Sequence, residues 1–213
     1  MSYTIDVLAQ PSIPASWLGK AKHQVRIEQC ETYEDSYLMD LIEDAQAYVA
    51  ERSDCTLLPT QYQITLPCFP SMSRWPIYLP RPPLVSVDSV EYLDTEGQLT
   101  SLEGFRAATM TFSALFPGHS WPQTMRVADA VRIKYTAGVE ASCPRPAMRA
   151  IMLLVGHWFM TREDSTEMRL EKIPHGVDAI CLQLRPGDDF QKPVDNNQSQ
   201  NSNLDGFGRG YYG

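Results

Sequence analysis

Apolar residues recur with a helical period near both ends of this chain and with a period of two in its middle. An extended opening, Tyr3–Leu8, is broken by Pro11 and Pro14. Ser16 is placed to cap a short helix, "WLGKAKHQ", and "VRIE" reads as a connector. The next helix is expected over about Tyr33–Arg52. Tyr37, Leu38, Leu41, Ile42, Ala45, Tyr48 and Val49 form one buried stripe, and Asp40, Glu43 and Asp44 fill the opposite face. Thr32 is its expected cap, with Glu34 and Asp35 in the first turn, where the helix dipole favours negative charge.

From Pro59 to Gly138 the period falls to two. "QYQITLP" alternates, "AVRIKYTAG" puts Val131, Ile133 and Tyr135 on one face, and "LDTEGQLTSL" is a hairpin signal with Gly97 in its turn. In "LVSVDSVEYL", alternation puts Val85, Val87 and Ser89 on one face and Leu84, Ser86, Asp88, Val90 and Tyr92 on the other. "FSALFPGHSWPQTMRVAD" reads as a packed loop. Helix returns at Pro144–Arg162, with Pro146 in the first turn, where its missing N–H costs nothing. "MRAIMLLVGHWFM" is apolar around nearly its whole circumference, as expected of a central helix or one covered by another subunit. Gly156 within it predicts close approach of a neighbour. "DSTEMRLEK" reads as an exposed linker. Ile173, Val177, Ile180 and Leu184 then share one face of a last helix.

The pattern predicts an α+β fold: a helical body of about four helices, an inserted β-rich region and an extended C-terminal tail. The expected divisions are 1–58 (arm and helices), 59–138 (β-rich), 139–187 (helices packing on the first part) and 188–213, a low-complexity docking tail. The proline block "LPRPPL" carries a P-x-x-P spacing (Pro80, Pro83), which suits an aromatic groove on a partner. Its three missing donors and the extended bias of residues before proline favour a different role. They predict a stiff lead that fixes where the following strand enters its sheet.

Composition narrows the function. The chain has 213 residues, 43% of them hydrophobic, and a net charge of −8. Such a charge disfavours gripping DNA, which starts with cations neutralising phosphates, but suits a surface that DNA slides past. Five scattered cysteines with no C-x-x-C pair predict free thiols. "MSYTIDVLAQPSIP" lacks the basic and apolar run of a signal peptide. "AIMLLVGHWFM" is shorter than the about 20 residues a membrane span needs, so no membrane role is expected. No metal spacing joins His23, His119, His157 and His175, and no nucleotide or nucleophile motif is present. No cofactor, metal site or catalytic residue is therefore assigned.

His119 with a cysteine such as Cys143 is the remaining hydrolase alternative. Asp94/Glu96 and Asp188/Asp189 read as solvated turn residues. His157 and Trp158, on the apolar helix, are core or interface residues. Arg145 and Arg149 share a helix face near its N-terminus, where the dipole disfavours cations, and suit acidic groups of a neighbour. Arg81 projects from the proline block. "GFGRGYYG" offers Phe207, Arg209, Tyr211 and Tyr212 as a docking motif for a protein groove.

One ordered set of segments remains. "KAKHQVRIE" precedes the acidic-faced helix ending "AQAYVAERSDCTLLPTQYQITL". Then come "LPRPPLVSVDSVEYLDTEGQL", "SWPQT", "VRIKYTAGVEASCPRPAMRAIMLLVGHWFMTRED" and "IPHGVDAICLQLRP". In this order and spacing, over about Tyr3–Pro186, the chain resembles head–tail connector (adaptor or head-completion) proteins of tailed bacteriophages. That family's central helix often ends aromatic–Glu–Asn–Arg, whereas this one reads "WFMTRED". The resemblance implies a non-enzymatic virion protein at the head–tail interface, assembled in the host cytoplasm. It implies a ring, typically twelvefold, bound to the portal protein and to the next neck or tail component. DNA would pass through the lumen without specific binding. A tail-terminator or other neck protein is the nearest alternative, and a DNA-packaging accessory protein a more distant one. The tail after Pro186 lies outside the resemblance.

Overall fold

The computed structural model describes residues 3–71, 74–109, 113–139, 143–161 and 175–185. In chain order these form β1 (Thr4–Ala9), α1 (Ser16–Val25), α2 (Asp35–Ser53), β2 (Thr60–Leu66), β3 (Ile77–Tyr78) and β4 (Leu84–Leu93). There follow β5 (Leu99–Ser101), β6 (Phe105–Ala108), β7 (Ala114–Pro117), β8 (Val131–Ala137), α3 (Arg145–Met160) and α4 (His175–Leu184). The α+β class is as expected. The "DSTEMRLEK" linker, Ile173 and the tail from Pro186 lie outside the described residues.

The four helices share one core. Leu38, Leu41, Ile42, Ala45 and Val49 of α2 face Ala147, Ala150, Ile151, Leu154 and Val155 of α3, with Trp17 and Ala21 of α1 and Val177 and Cys181 of α4 around them. This is the stripe the 3.6-residue period predicts for α2, and its acidic face is exposed. A Cβ on Gly156 would lie 3.3 Å from Gln24 Nε2, so the glycine lets α1 close on α3. Two expected caps fail. Ser16 is the first residue of α1 rather than its cap, and α2 begins after Glu34; neither helix has a side-chain cap. A buried lysine holds this end instead. Lys22 Nζ, 3% exposed as a residue, donates to Gln29 O (3.3 Å) and Glu31 O (2.6 Å) and pairs with Asp35 Oδ1 at 2.6 Å. It thereby closes the α1–α2 connection onto the first turn of α2.

The second core lies under a five-stranded antiparallel sheet of order β1-β2-β8-β4-β5. β2 and β8 alternate strictly. Their buried residues oppose one another as Tyr62–Tyr135, Ile64–Ile133 and Leu66–Val131. The neighbouring strand departs from the sequence expectation. Opposite the buried residues of β8 stand Leu84, Val87, Val90 and Tyr92 of β4, because bulges fall between Leu84 and Ser86 and between Val87 and Ser89. Each bulge adds one residue and resets which face the next ones occupy. Val85 is exposed and Val90 is buried, and simple alternation cannot give that inward set.

A second sheet, of order β3-β7-β6, was not anticipated; β7 lies within the supposed loop. These strands are only two to four residues long, too short for a period to show. The loop aromatics do pack. Trp121 stacks on Phe69 (centroids 4.9 Å apart) and its Nε1 donates to Trp75 O at 2.7 Å.

Candidate assembly surface

The proline block is where the two cores meet. It is a turn rather than a straight lead: Arg81 has φ +61°, outside the extended region expected before a proline. Surrounding hydrogen bonds hold it there. Four successive carbonyls each accept one bond of 2.8 Å: Pro80 O from Tyr135 Oη, Arg81 O from Thr56 Oγ1, Pro82 O from Thr56 N and Pro83 O from Gly138 N. Buried Ser113 serves both flanks, accepting from Leu79 N at its carbonyl and from Leu84 N at Oγ. Since Thr56 donates its one hydroxyl proton to Arg81 O, the Tyr62 hydroxyl, 3.1 Å away, donates to Thr56. Prolines bring acceptors without donors, so the donors come from the end of α2, from β8 and from the residue after β8. Gly138 completes the junction. Its φ is +124°, and a Cβ there would fall 2.4 Å from Leu58 O.

Arg81 turns back on this junction. Its Nη1 lies 3.5 Å from Ala50 O and 3.9 Å from Asp54 Oδ1, at the carbonyl end of α2. Arg145 and Arg149 stand one turn apart on α3, both exposed, and neither has an ion pair among the described residues. They rim a depression of about 540 Å³ between α3 and α4, floored by Met148, Met152 and Ile180. His157 and Trp158 lie together further along α3, both half-buried, and Trp158 meets Tyr48 edge-to-face. Phe207, Arg209, Tyr211 and Tyr212 lie outside the described residues.

Two further apolar surfaces stand out. β1 forms an edge of the large sheet. It pairs only with β2 among the described strands, and Tyr3, Val7 and Leu8 beside or within it are exposed. Met160 ends α3 at 81% exposure, and Leu182 on α4 is 59% exposed.

Among the described residues no three or more His, Cys, Asp or Glu side chains gather as a metal site would require. No described helix is long and apolar enough to cross a membrane. Burial pushes the Cys143 thiol up to about 11, and its Sγ donates to the adjacent Pro144 O. Burial likewise lifts Cys55 to about 11 and raises Cys181. These thiols stay protonated at neutral pH and are poor nucleophiles.

Lys22, Thr56 and Ser113, which hold the frame of these surfaces, escaped sequence reasoning. A signal existed only for Lys22. It stands four residues after Leu18 and one after Ala21, on the apolar side of α1.

No family model matches this chain, and neither does any curated protein. Solved structures do. A chain from the virion of a native gene transfer agent particle superposes with a TM-score of 0.69 at 20% identity. A chain from the neck of the empty particle, solved with C6 symmetry, gives 0.69 at 21%, and one from the neck of the native particle, solved with C12 symmetry, gives 0.66 at 19%. Each comparison covers 86% of this chain and 96% of the other. This chain has their fold.

Proposed function

We propose that the protein is a structural component of a phage-like particle's neck. In this role it is a head–tail adaptor that forms a ring under the portal, extends the DNA channel and offers a docking surface to the next component. The observation that carries this is the likeness to neck chains over nearly the whole of both molecules. The sixfold and twelvefold symmetries of those necks support a ring, with twelve copies the expected number. A tail-terminator role has no observation that favours it. The buried, protonated thiols argue against a Cys/His hydrolase.

In this ring the interface residues are Arg81, Arg145, Arg149, His157 and Trp158, together with the exposed edge of β1. The distal aromatics Phe207, Tyr211 and Tyr212, with Arg209, dock on the portal or a neighbouring subunit. A lumen that shares the net charge of −8 has an acidic or neutral wall, which lets DNA rest and leave without adhering. Co-assembly of the full chain with its portal protein, followed by imaging, tests the proposal. A ring stacked on the portal with a non-basic lumen is expected. Lack of portal binding, or a strongly basic lumen, would overturn it. Ending the chain at Gly187 should weaken portal binding; unchanged binding would remove the tail from the interface.

A further inference from the structure

The groove between α3 and α4 combines two guanidiniums that have no ion pair among the described residues with a thioether and aliphatic floor. Arg145 and Arg149 lie in the first two turns of α3, where the positive end of the dipole raises the cost of leaving cations uncompensated. Beside them Met148, Met152 and Ile180 form an apolar floor, and Gln183 of α4 closes one side. An occupant that suits it has two carboxylates followed closely by an aromatic ring. Arg–carboxylate pairs are the stronger charge-assisted bonds, and methionine sulfur packs well against ring edges.

The chain itself carries that sequence just past the groove. The last turn of α4 is tied to α2. Cys55 Sγ donates to Leu184 O at 3.0 Å and Arg185 Nη2 lies 3.4 Å from Arg52 O, while Arg52 also pairs with Asp178 in the first turn of α4 at 3.0 Å. The described chain ends two residues after Gln183, the last residue of α4 that lines the groove. In the sequence, Pro186, which lacks the N–H a helix interior needs, and Gly187, which takes a positive φ at little cost, come next. Asp188, Asp189 and Phe190 follow. Three residues beyond Arg185 reach about 10 Å, enough to return across one helix.

We propose that residues 187–190 of the same chain fold back into this groove, Asp188 and Asp189 pairing with Arg145 and Arg149 and Phe190 resting on Met148 and Met152. Tethering one helix end away keeps the segment at an effective concentration on the millimolar scale, so a weak contact stays occupied. The segment then sets the point from which the remaining tail departs, with Gly206 up to about 50 Å further on. The inference concerns a single dilute chain and does not require a ring; where a ring forms, Arg145 and Arg149 enter its interface already paired with Asp188 and Asp189.

Disulfide trapping tests it in the full chain, with the exposed Cys30 and Cys68 changed to serine. Met148→Cys with Phe190→Cys is expected to give an intramolecular cross-link at least tenfold faster than Met148→Cys with Ser202→Cys. If the Met148 variant fails to fold, Pro146→Cys on the exposed rim replaces it. Reversing either pair of charges (Arg145→Glu with Arg149→Glu, or Asp188→Lys with Asp189→Lys) should slow trapping about tenfold. Combining both reversals should restore it. Equal rates for positions 190 and 202 would overturn the proposal. So would failure of the combined reversal to restore trapping. Disulfide-linked dimers as the main product would also overturn it, by placing the segment on a second copy.

Discussion

At the scale of single residues, hydrogen bonds hold several buried polar side chains in the described interior. Thr56 serves three neighbours, and Tyr135, wholly buried, sends its hydroxyl to Pro80 O. None of this is legible in the sequence, since a threonine after a helix and a tyrosine in a strand look the same whether or not a carbonyl faces them. The apolar positions of α2, β2 and β8 were legible, because there burial follows the period. The thiols add a testable pH response. Unfolded, Cys55 and Cys143 ionise near 9.0, whereas the native protein keeps them protonated to about 11. Between these values the native state binds more protons, so stability falls as pH rises. The loss is on the order of 2 kcal/mol per thiol at the top of that window. Denaturant midpoints in reducing buffer should drop between pH 8.5 and about 10.5, and Cys143→Ala should flatten the drop. An unchanged slope in that variant would exclude its thiol as a source.

At the scale of elements, strict repetition was readable and interruption was not. β2 and β8 alternate without a break and were located from the pattern, whereas two bulges moved the buried set of β4. The short strands of the second sheet owe their place to neighbours rather than to their own composition. One helix start was misjudged for a related reason. At α2 the local capping signal of Thr32 loses to the hold of Lys22 on the α1–α2 connection; nothing in the described structure explains why Ser16 opens α1 rather than capping it. Lys22→Met should therefore lower stability by about 2 kcal/mol, since it leaves two carbonyls and a carboxylate without their cation. Asp35→Asn, which spares both carbonyls, should cost less. Chemical denaturation of the two variants gives the comparison, and equal losses would show that the carboxylate alone matters.

At the scale of the whole molecule, two cores depend on one junction. Gly138→Ala introduces a Cβ 2.4 Å from Leu58 O at a φ of +124°. It should cost about 3 kcal/mol or more, because neither backbone can yield without moving the proline turn. The loss should appear together in the far-UV helical signal and in the near-UV signal of the sheet aromatics, as one transition. Separate transitions would show that the cores melt independently. The residues proposed for assembly, Arg81 apart, lie outside this junction, and the sequence disclosed their types but not their arrangement. The junction also bears on which substitutions the fold tolerates. Its four proline-block bonds all accept at main-chain oxygens, and two of their donors are main-chain nitrogens as well. The other two donors are the hydroxyls of Thr56 and Tyr135. Sequence drift is tolerated where a residue lends only its main chain, and is resisted at Thr56, Tyr135 and Gly138.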